Sequence, residues 1–210
     1  MGLLQQLNDE LSGVISSVQQ SVVQIRDGRQ SGGAGTIWHS DGLILTNAHV
    51  VRRDPVQIAL GDGRVLTAQL IARDGERDLA ALAVEANGLP VIAPGDSRQL
   101  HAGQWVMAVG HPWGVTNAVT GGVVIGVGKK MPELNVFTQD WVVADLHLRP
   151  GNSGGPMIDV DGRLIGVNTL MTGPGVGVAV AVDSVKDFLK KALNATPIRV
   201  ETGKSAGAFV

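Results

Sequence analysis

An all-β fold framed by two helices is what this sequence predicts, and three observations predict it. From Ser21 onward, short runs rich in Val and Ile alternate with Gly, Asp and Asn turns, which is the rhythm of successive antiparallel strands. These runs fall into two sets separated by the polar, Pro-containing stretch from Leu89 to Gly103, and 210 residues suit a closely joined pair of β-units with no third. Only the two ends carry the three- and four-residue apolar spacing of helices.

Taken in order, Leu3, Leu4, Leu7, Leu11, Val14, Ile15 and Val18 make one apolar stripe on a helix ending near Gln20. That stripe must be buried, either against the chain's own β-units or against another subunit in a homo-oligomer. The first strand set includes Val22–Ile25, Thr36–Trp38, Val56–Leu60 and Val65–Ala68, and the apolar runs Leu43–Leu45 and Leu79–Val84 belong with it. The second includes Trp105–Val109, Val123–Val127, Trp141–Ala144 and Val176–Val182. Asp183-Ser184 then supply helix-capping side chains before the striped segment up to Lys191, a closing helix expected to cover the second unit. The resulting division is a helix over 1–20, β-units over 21–98 and 99–193, and a tail over 194–210.

Composition removes several function classes. The net charge is −2 with no basic cluster, so nucleic acid and anionic membranes have no electrostatic footprint to bind. The chain has no cysteine, which leaves neither disulfides nor thiolate metal sites, and no H-E-x-x-H-like spacing supports a metal hydrolase. No cofactor and no metal are expected. Gly121-Gly122 and Gly126-Val127-Gly128 lack the strand-Gly-helix setting of a nucleotide site. Trp38, Trp105, Trp113 and Trp141 read as core or rim packing. No Lys or Arg precedes Arg26 and no long apolar run is present, so neither a secretory signal nor membrane insertion is expected. The expected compartment is the cytoplasm as the chain is written, and an exported one if a signal has been removed.

Chemistry concentrates in Gly151-Asn152-Ser153-Gly154-Gly155-Pro156. Small, permissive residues around a serine allow a bend that presents a hydroxyl together with bare amide N–H groups, so Gly151 and Ser153 become candidate donors to an oxyanion. A serine attacks at neutral pH only if a base takes its proton, usually a histidine oriented by a carboxylate. All five histidines precede Ser153, which rules out the α/β-hydrolase elbow that Gly151–Gly155 would otherwise fit, because there the histidine comes after the serine. His49, in Thr46-Asn47-Ala48-His49-Val50-Val51 after Leu43-Ile44-Leu45, sits where a strand gives way to a turn and can be aimed rigidly. His39 and His101 lie in polar loops, His111 precedes Pro112 in a turn, and His147 lies shortly before the serine loop. Asp78 opens Leu79–Val84 at the edge of a core, while its competitors Asp74 and Glu76 stand in a polar turn.

Together these segments, with Gly42–Thr46, Gly95-Asp96-Ser97 and Gly162–Thr169, resemble the trypsin-like serine proteases, and among them the HtrA/Deg branch, from about Val22 to about Leu193. The resemblance implies two six-stranded antiparallel β-barrels with the site in the cleft between them. It places the base, orienting acid and nucleophile on His49, Asp78 and Ser153, and the oxyanion donors on Gly151 and Ser153. It further implies a primary pocket lined by Leu148, Leu170 and Met171, with Thr169–Met171 pairing with the substrate backbone. An apolar wall of this kind favours small or medium aliphatic side chains before the cleaved bond; His147 would instead recognise an acidic one. Unfolded or exposed protein segments are the implied partners, and quality control of proteins the usual task. The stretch Asp27–Gly35 is short beside the family's regulatory loop, and the segment after Leu193 is short for the PDZ domain common there. The rival readings are a peptide-binding or chaperone-like module that keeps the cleft without turnover, and a latent protease whose loop 149–152 awaits ordering.

Overall fold

The computed structural model describes residues 2–27, 30–128 and 140–195, with the side chains of 27, 30, 31 and 195 left aside. Helix α1 (Leu3–Gln19) precedes β1 (Val22–Asp27), β2 (Gln30–His39), β3 (Leu43–Thr46), β4 (Val56–Ala59), β5 (Val65–Asp74) and β6 (Leu79–Val84). These six strands close a barrel in the order β1-β2-β3-β6-β5-β4. Then come β7 (Trp105–Gly110), β8 (Ala118–Gly128), β9 (Trp141–Asp145), β10 (Pro156–Ile158), β11 (Leu164–Met171) and β12 (Val176–Ala181), closing a second barrel as β10-β11-β12-β9-β8-β7. All pairings between named strands are antiparallel, and α2 (Val182–Ala195) ends the described chain. The tail 196–210 lies outside the described residues.

The apolar runs Leu43–Leu45 and Leu79–Val84 do not alternate with polar residues because β3 and β6 are buried on both faces. Ile44, Ala80, Leu82 and Val84 point into the first barrel with Val23, Ile37 and Ile58. The intervening Leu43, Leu45, Leu79 and Ala81 pack instead with Trp141, Val167, Val178 and Val180 of the second barrel. A period of two thus divides each strand between two cores. Truncating any of these leucines to alanine removes methylene groups from a site with no water to refill it, at about 2–5 kcal/mol.

Helix α2 packs on both barrels rather than covering the second alone. Val185, Phe188 and Leu189 join the cluster of Leu43, Leu79 and Val167. Its start is pinned across the chain: the Ser97 hydroxyl and amide donate to Asp183 Oδ2 at 2.7 and 3.2 Å.

Helix α1 divides its stripe. Val18 is buried, and Leu11 and Ile15 pack beside it on Val22, Met107, Ile158 and Leu164 from both barrels. Leu3, Leu4 and Leu7, on the same stripe, are 80%, 81% and 51% exposed, so the burial expected for the whole stripe stops about midway. The tryptophans also split. Trp141 is fully buried, whereas Trp105 and Trp113 stand largely in solvent. No helix among the described residues is long and apolar enough to cross a membrane.

Candidate active site

Register explains why His49 and Asp78 meet. In the β3–β6 ladder Thr46 pairs with Ala80, so the residues just after β3 and just before β6 emerge at one end of the barrel, on its wall against the second barrel. There the chain turns through a short 3-10 segment (Ala48–Val50) that carries His49. Asp78 adopts the left-handed region at φ +55, and the Asn47 side-chain amide donates to its carbonyl at 2.9 Å, holding that uncommon conformation. Its carboxylate faces the imidazole. His49 Nδ1 lies 2.8 Å from Asp78 Oδ2 and 3.0 Å from Oδ1, and the His49 backbone N–H donates to Oδ1 at 3.0 Å. A carboxylate only accepts, so Nδ1 carries the hydrogen and Nε2 is left as the acceptor.

Thr169 joins this pair to the second barrel. The β11–β12 register shifts between Asn168 and Leu170, a bulge that leaves Thr169 unpaired and turns it out of the ladder. Its hydroxyl donates to Asp78 Oδ2 in a short hydrogen bond, and its carbonyl accepts from the Ser153 hydroxyl at 3.1 Å. Ser153 therefore reaches the aspartate and histidine through Thr169, and its hydroxyl is turned to the Thr169 carbonyl rather than to the His49 ring.

The loop around Ser153 is fixed on every side. Gly154 N–H donates to Asn168 O at 2.8 Å and Asn168 N–H to Gly155 O at 2.9 Å, which carries the β10–β11 ladder up to the serine. Ala34 N–H of the first barrel donates to Ser153 O at 2.8 Å. Gly154 adopts φ +85, and a Cβ there would fall well inside contact distance of Ala34 O and Thr46 Oγ1. On the opposite side, His111 N–H donates to Gly151 O at 2.9 Å. Asn152 is buried, donates its N–H to Arg149 O at 2.9 Å and accepts from Arg149 N–H through Oδ1 at 3.1 Å. Among the described residues, the N–H groups of Gly151 and Ser153 find no acceptor.

Two antiparallel barrels of this topology match what the comparisons find. A trypsin-like peptidase domain pattern matches residues 33–167. The chain belongs to the trypsin-like peptidase domain family. It is 41% identical over 167 residues to "Serine protease HTRA2, mitochondrial" of Drosophila pseudoobscura pseudoobscura, covering 77% of this chain and 39% of that one. With the protein of the same name from Drosophila erecta, identity is 38% over 200 residues, covering 87% of this chain and 47% of the relative. This peptidase domain thus spans under half the length of these curated relatives. Among solved structures, "HtrA-type protease AlgW with tripeptide" superposes with a TM-score of 0.82 at 31% identity, over 88% of this chain and 64% of that one. The complex of AlgW with a decapeptide gives 0.80 at 28%, over 88% and 67%.

Electrostatics at the site of this peptidase domain follow from burial and partners. Burial of Asp78 raises its pKa, but hydrogen bonds from His49 and Thr169 outweigh that, and the carboxyl lies below its ordinary value. Asp74, the competing carboxylate in the sequence, pairs with Arg77 at 3.0 Å and caps its own turn. His111, in the turn before Pro112, is buried. It is 3% exposed, its Nδ1 accepts from Asn117 N–H at 3.1 Å, and burial lowers its pKa to about 4, so the ring is neutral. Among the described residues no cluster of three His, Asp or Glu side chains could hold a metal ion.

Of the expected pocket residues, Leu148 is buried in a cluster with Leu146, Ala179 and Ala181, and Leu170 is half-buried. Met171 is 42% exposed. His147 is exposed beside Gly175 and Asp145. The sequence marks Thr169 only as a backbone partner for substrate; its contact with Asp78 depends on a bulge that leaves no mark in the apolar pattern. Asn47 and Asn152 escape sequence reasoning too, and the one available signal is an Asn directly before a turn and in a Gly-rich loop, where such side chains commonly bind backbone.

Proposed function

We propose that this peptidase domain is a serine endopeptidase acting on exposed or unfolded protein segments, with small or medium aliphatic residues before the cleaved bond. The observation that carries this reading is the chain of hydrogen bonds His49–Asp78–Thr169–Ser153 beside two unengaged amides. Ser153 Oγ attacks the substrate carbonyl carbon as its proton passes to His49 Nε2. Rotation of the hydroxyl about χ1, away from Thr169 O, precedes that transfer. The carbonyl oxygen, now an oxyanion, takes the N–H groups of Gly151 and Ser153, while Asp78 holds the imidazolium formed at His49. His49 then gives the proton to the leaving amine, the C–N bond breaks, and water activated by the same base hydrolyses the acyl-enzyme.

Substrate selection on this reading rests on Leu148 and Leu170 as the apolar wall, with Thr169–Met171 offering strand edge to an extended peptide. The oxyanion amides already stand unpaired, which favours a formed site over a latent one. A fluorophosphonate probe followed by intact mass tests the reading: one adduct is expected, on Ser153, and Ser153→Ala abolishes it. Casein fragments mapped by mass spectrometry should then end mainly in Val, Ala, Ile or Leu. A chain that binds and protects peptides yet never takes the probe would make it a binding module, and cutting chiefly after glutamate would reverse the assigned preference.

A further inference from the structure

In the second barrel β10 lies between β11 and β7, so the loop 149–155 leading into β10 is flanked by Thr169–Met171 on one side and by the exit of β7, His111–Gly114, on the other. The β11 side is used by the function just described. The β7 side is not. It carries Trp113, which is 73% exposed and held at φ +53. Its N–H donates to Pro150 O at 3.3 Å, tying the aromatic turn directly to the oxyanion loop.

Over this indole lies the guanidinium of Arg149, its Cζ 5.2 Å from the ring centroid. Both backbone groups of Arg149 are engaged by Asn152, so the side chain springs from a fixed point two positions before Gly151. Among the described residues no carboxylate lies within ion-pair distance of it. A guanidinium laid on an aromatic face gives up little further freedom on binding and keeps its N–H edge open as a fork for a carboxylate.

An extended peptide that lies along β11 and passes Ser153 continues toward this pair, and two residues beyond the cleaved bond span ~7 Å of chain. We propose that Arg149 and Trp113 form a subsite on the leaving-group side of the bond, selecting polypeptides with Asp or Glu among the first two residues after it. The inference rests on the endopeptidase reading for the direction of the bound chain. The carboxylate accepts from the guanidinium edge, and the aliphatic stem of the acidic residue packs on the indole.

Two measurements separate the subsite from the catalysis. On the Ser153→Ala chain, fluorescence anisotropy compares labelled peptides that share Val before the bond and carry Glu, Gln or Lys after it. Glu is expected to bind about fivefold tighter than Lys at low salt, the upper range for an exposed pair, with the ratio shrinking as salt rises. Arg149→Gln brings the ratio to about one, and Arg149→Lys, which keeps the charge without the planar fork, retains part of it. On the unsubstituted chain, kcat/KM for internally quenched versions of the same peptides follows the same order. Equal binding of the Glu and Lys peptides, or a Glu preference that survives Arg149→Gln, overturns the subsite. Turnover without the ranking sinks the subsite alone, whereas the ranking without turnover sinks the catalytic reading and leaves Arg149 and Trp113 only as a binding site for acidic side chains.

Discussion

Replacing Thr169 by valine keeps the shape of the side chain and removes one hydroxyl, so it isolates the bond to Asp78. In the wild-type chain Asp78 receives three protein donors: the His49 ring, the His49 amide and the Thr169 hydroxyl. A hydrogen bond to an ionised group contributes about 1.5–3 kcal/mol. The Asp78 side chain is 18% exposed, so water replaces part of the loss and the lower end applies, about 1.5 kcal/mol or roughly tenfold in rate. We expect Thr169→Val to slow fluorophosphonate labelling and kcat/KM about tenfold, while KM stays nearly unchanged. Since the Thr169 bond helps hold the Asp78 pKa down, its loss raises that pKa. Thr169→Ser restores the donor and should recover most of the rate. A valine variant within twofold of wild type, or a serine variant as slow as the valine one, would show that the Thr169–Asp78 hydrogen bond does not support the rate.

Further substitutions probe the scaffold. Gly154→Ala places a Cβ against Ala34 O and Thr46 Oγ1 at a positive φ, and thermal melting should show a loss above about 4 kcal/mol or no folded protein. Asn47→Ala removes the donor to the Asp78 carbonyl in its left-handed conformation; urea unfolding should show a loss of about 1–3 kcal/mol, together with slower labelling of Ser153. His111, depressed to about 4 from an ordinary 6.5, binds its proton more readily unfolded, so it stabilises the fold above pH 6.5 and loses that contribution as pH falls toward 4. The loss by pH 4 is about 3 kcal/mol, and denaturant midpoints for His111→Asn across this window should be flatter than those of wild type. An equally steep profile in the variant would clear His111 of that role.

The legibility of this fold depends on where periodicity carries information. Leu43–Leu45 and Leu79–Val84 are apolar without alternation because both faces are buried, and that alone marks them as the strands whose ends carry His49 and Asp78. The order of His, Asp and Ser is equally plain in the chain. The Thr169 bulge is not, since one unpaired residue changes no hydropathy pattern, and with it the route from Ser153 to Asp78 stays hidden. His111 reads as a turn residue because Pro112 comes next, yet its ring is buried, with Asn117 N–H on Nδ1 and the Val23 backbone beside it. For α1, spacing identifies the apolar face but not the area that receives it, so Leu3, Leu4 and Leu7 remain in solvent where Val18 does not.

The most direct test of the proposed chemistry is a crystal structure of the fluorophosphonate adduct. We expect phosphorus bonded to Ser153 Oγ, that oxygen turned from Thr169 O to within about 3 Å of His49 Nε2, and the phosphonyl oxygen accepting from the N–H groups of Gly151 and Ser153. An adduct on any other residue, or a Gly151 N–H directed away from the phosphonyl oxygen, would contradict the account.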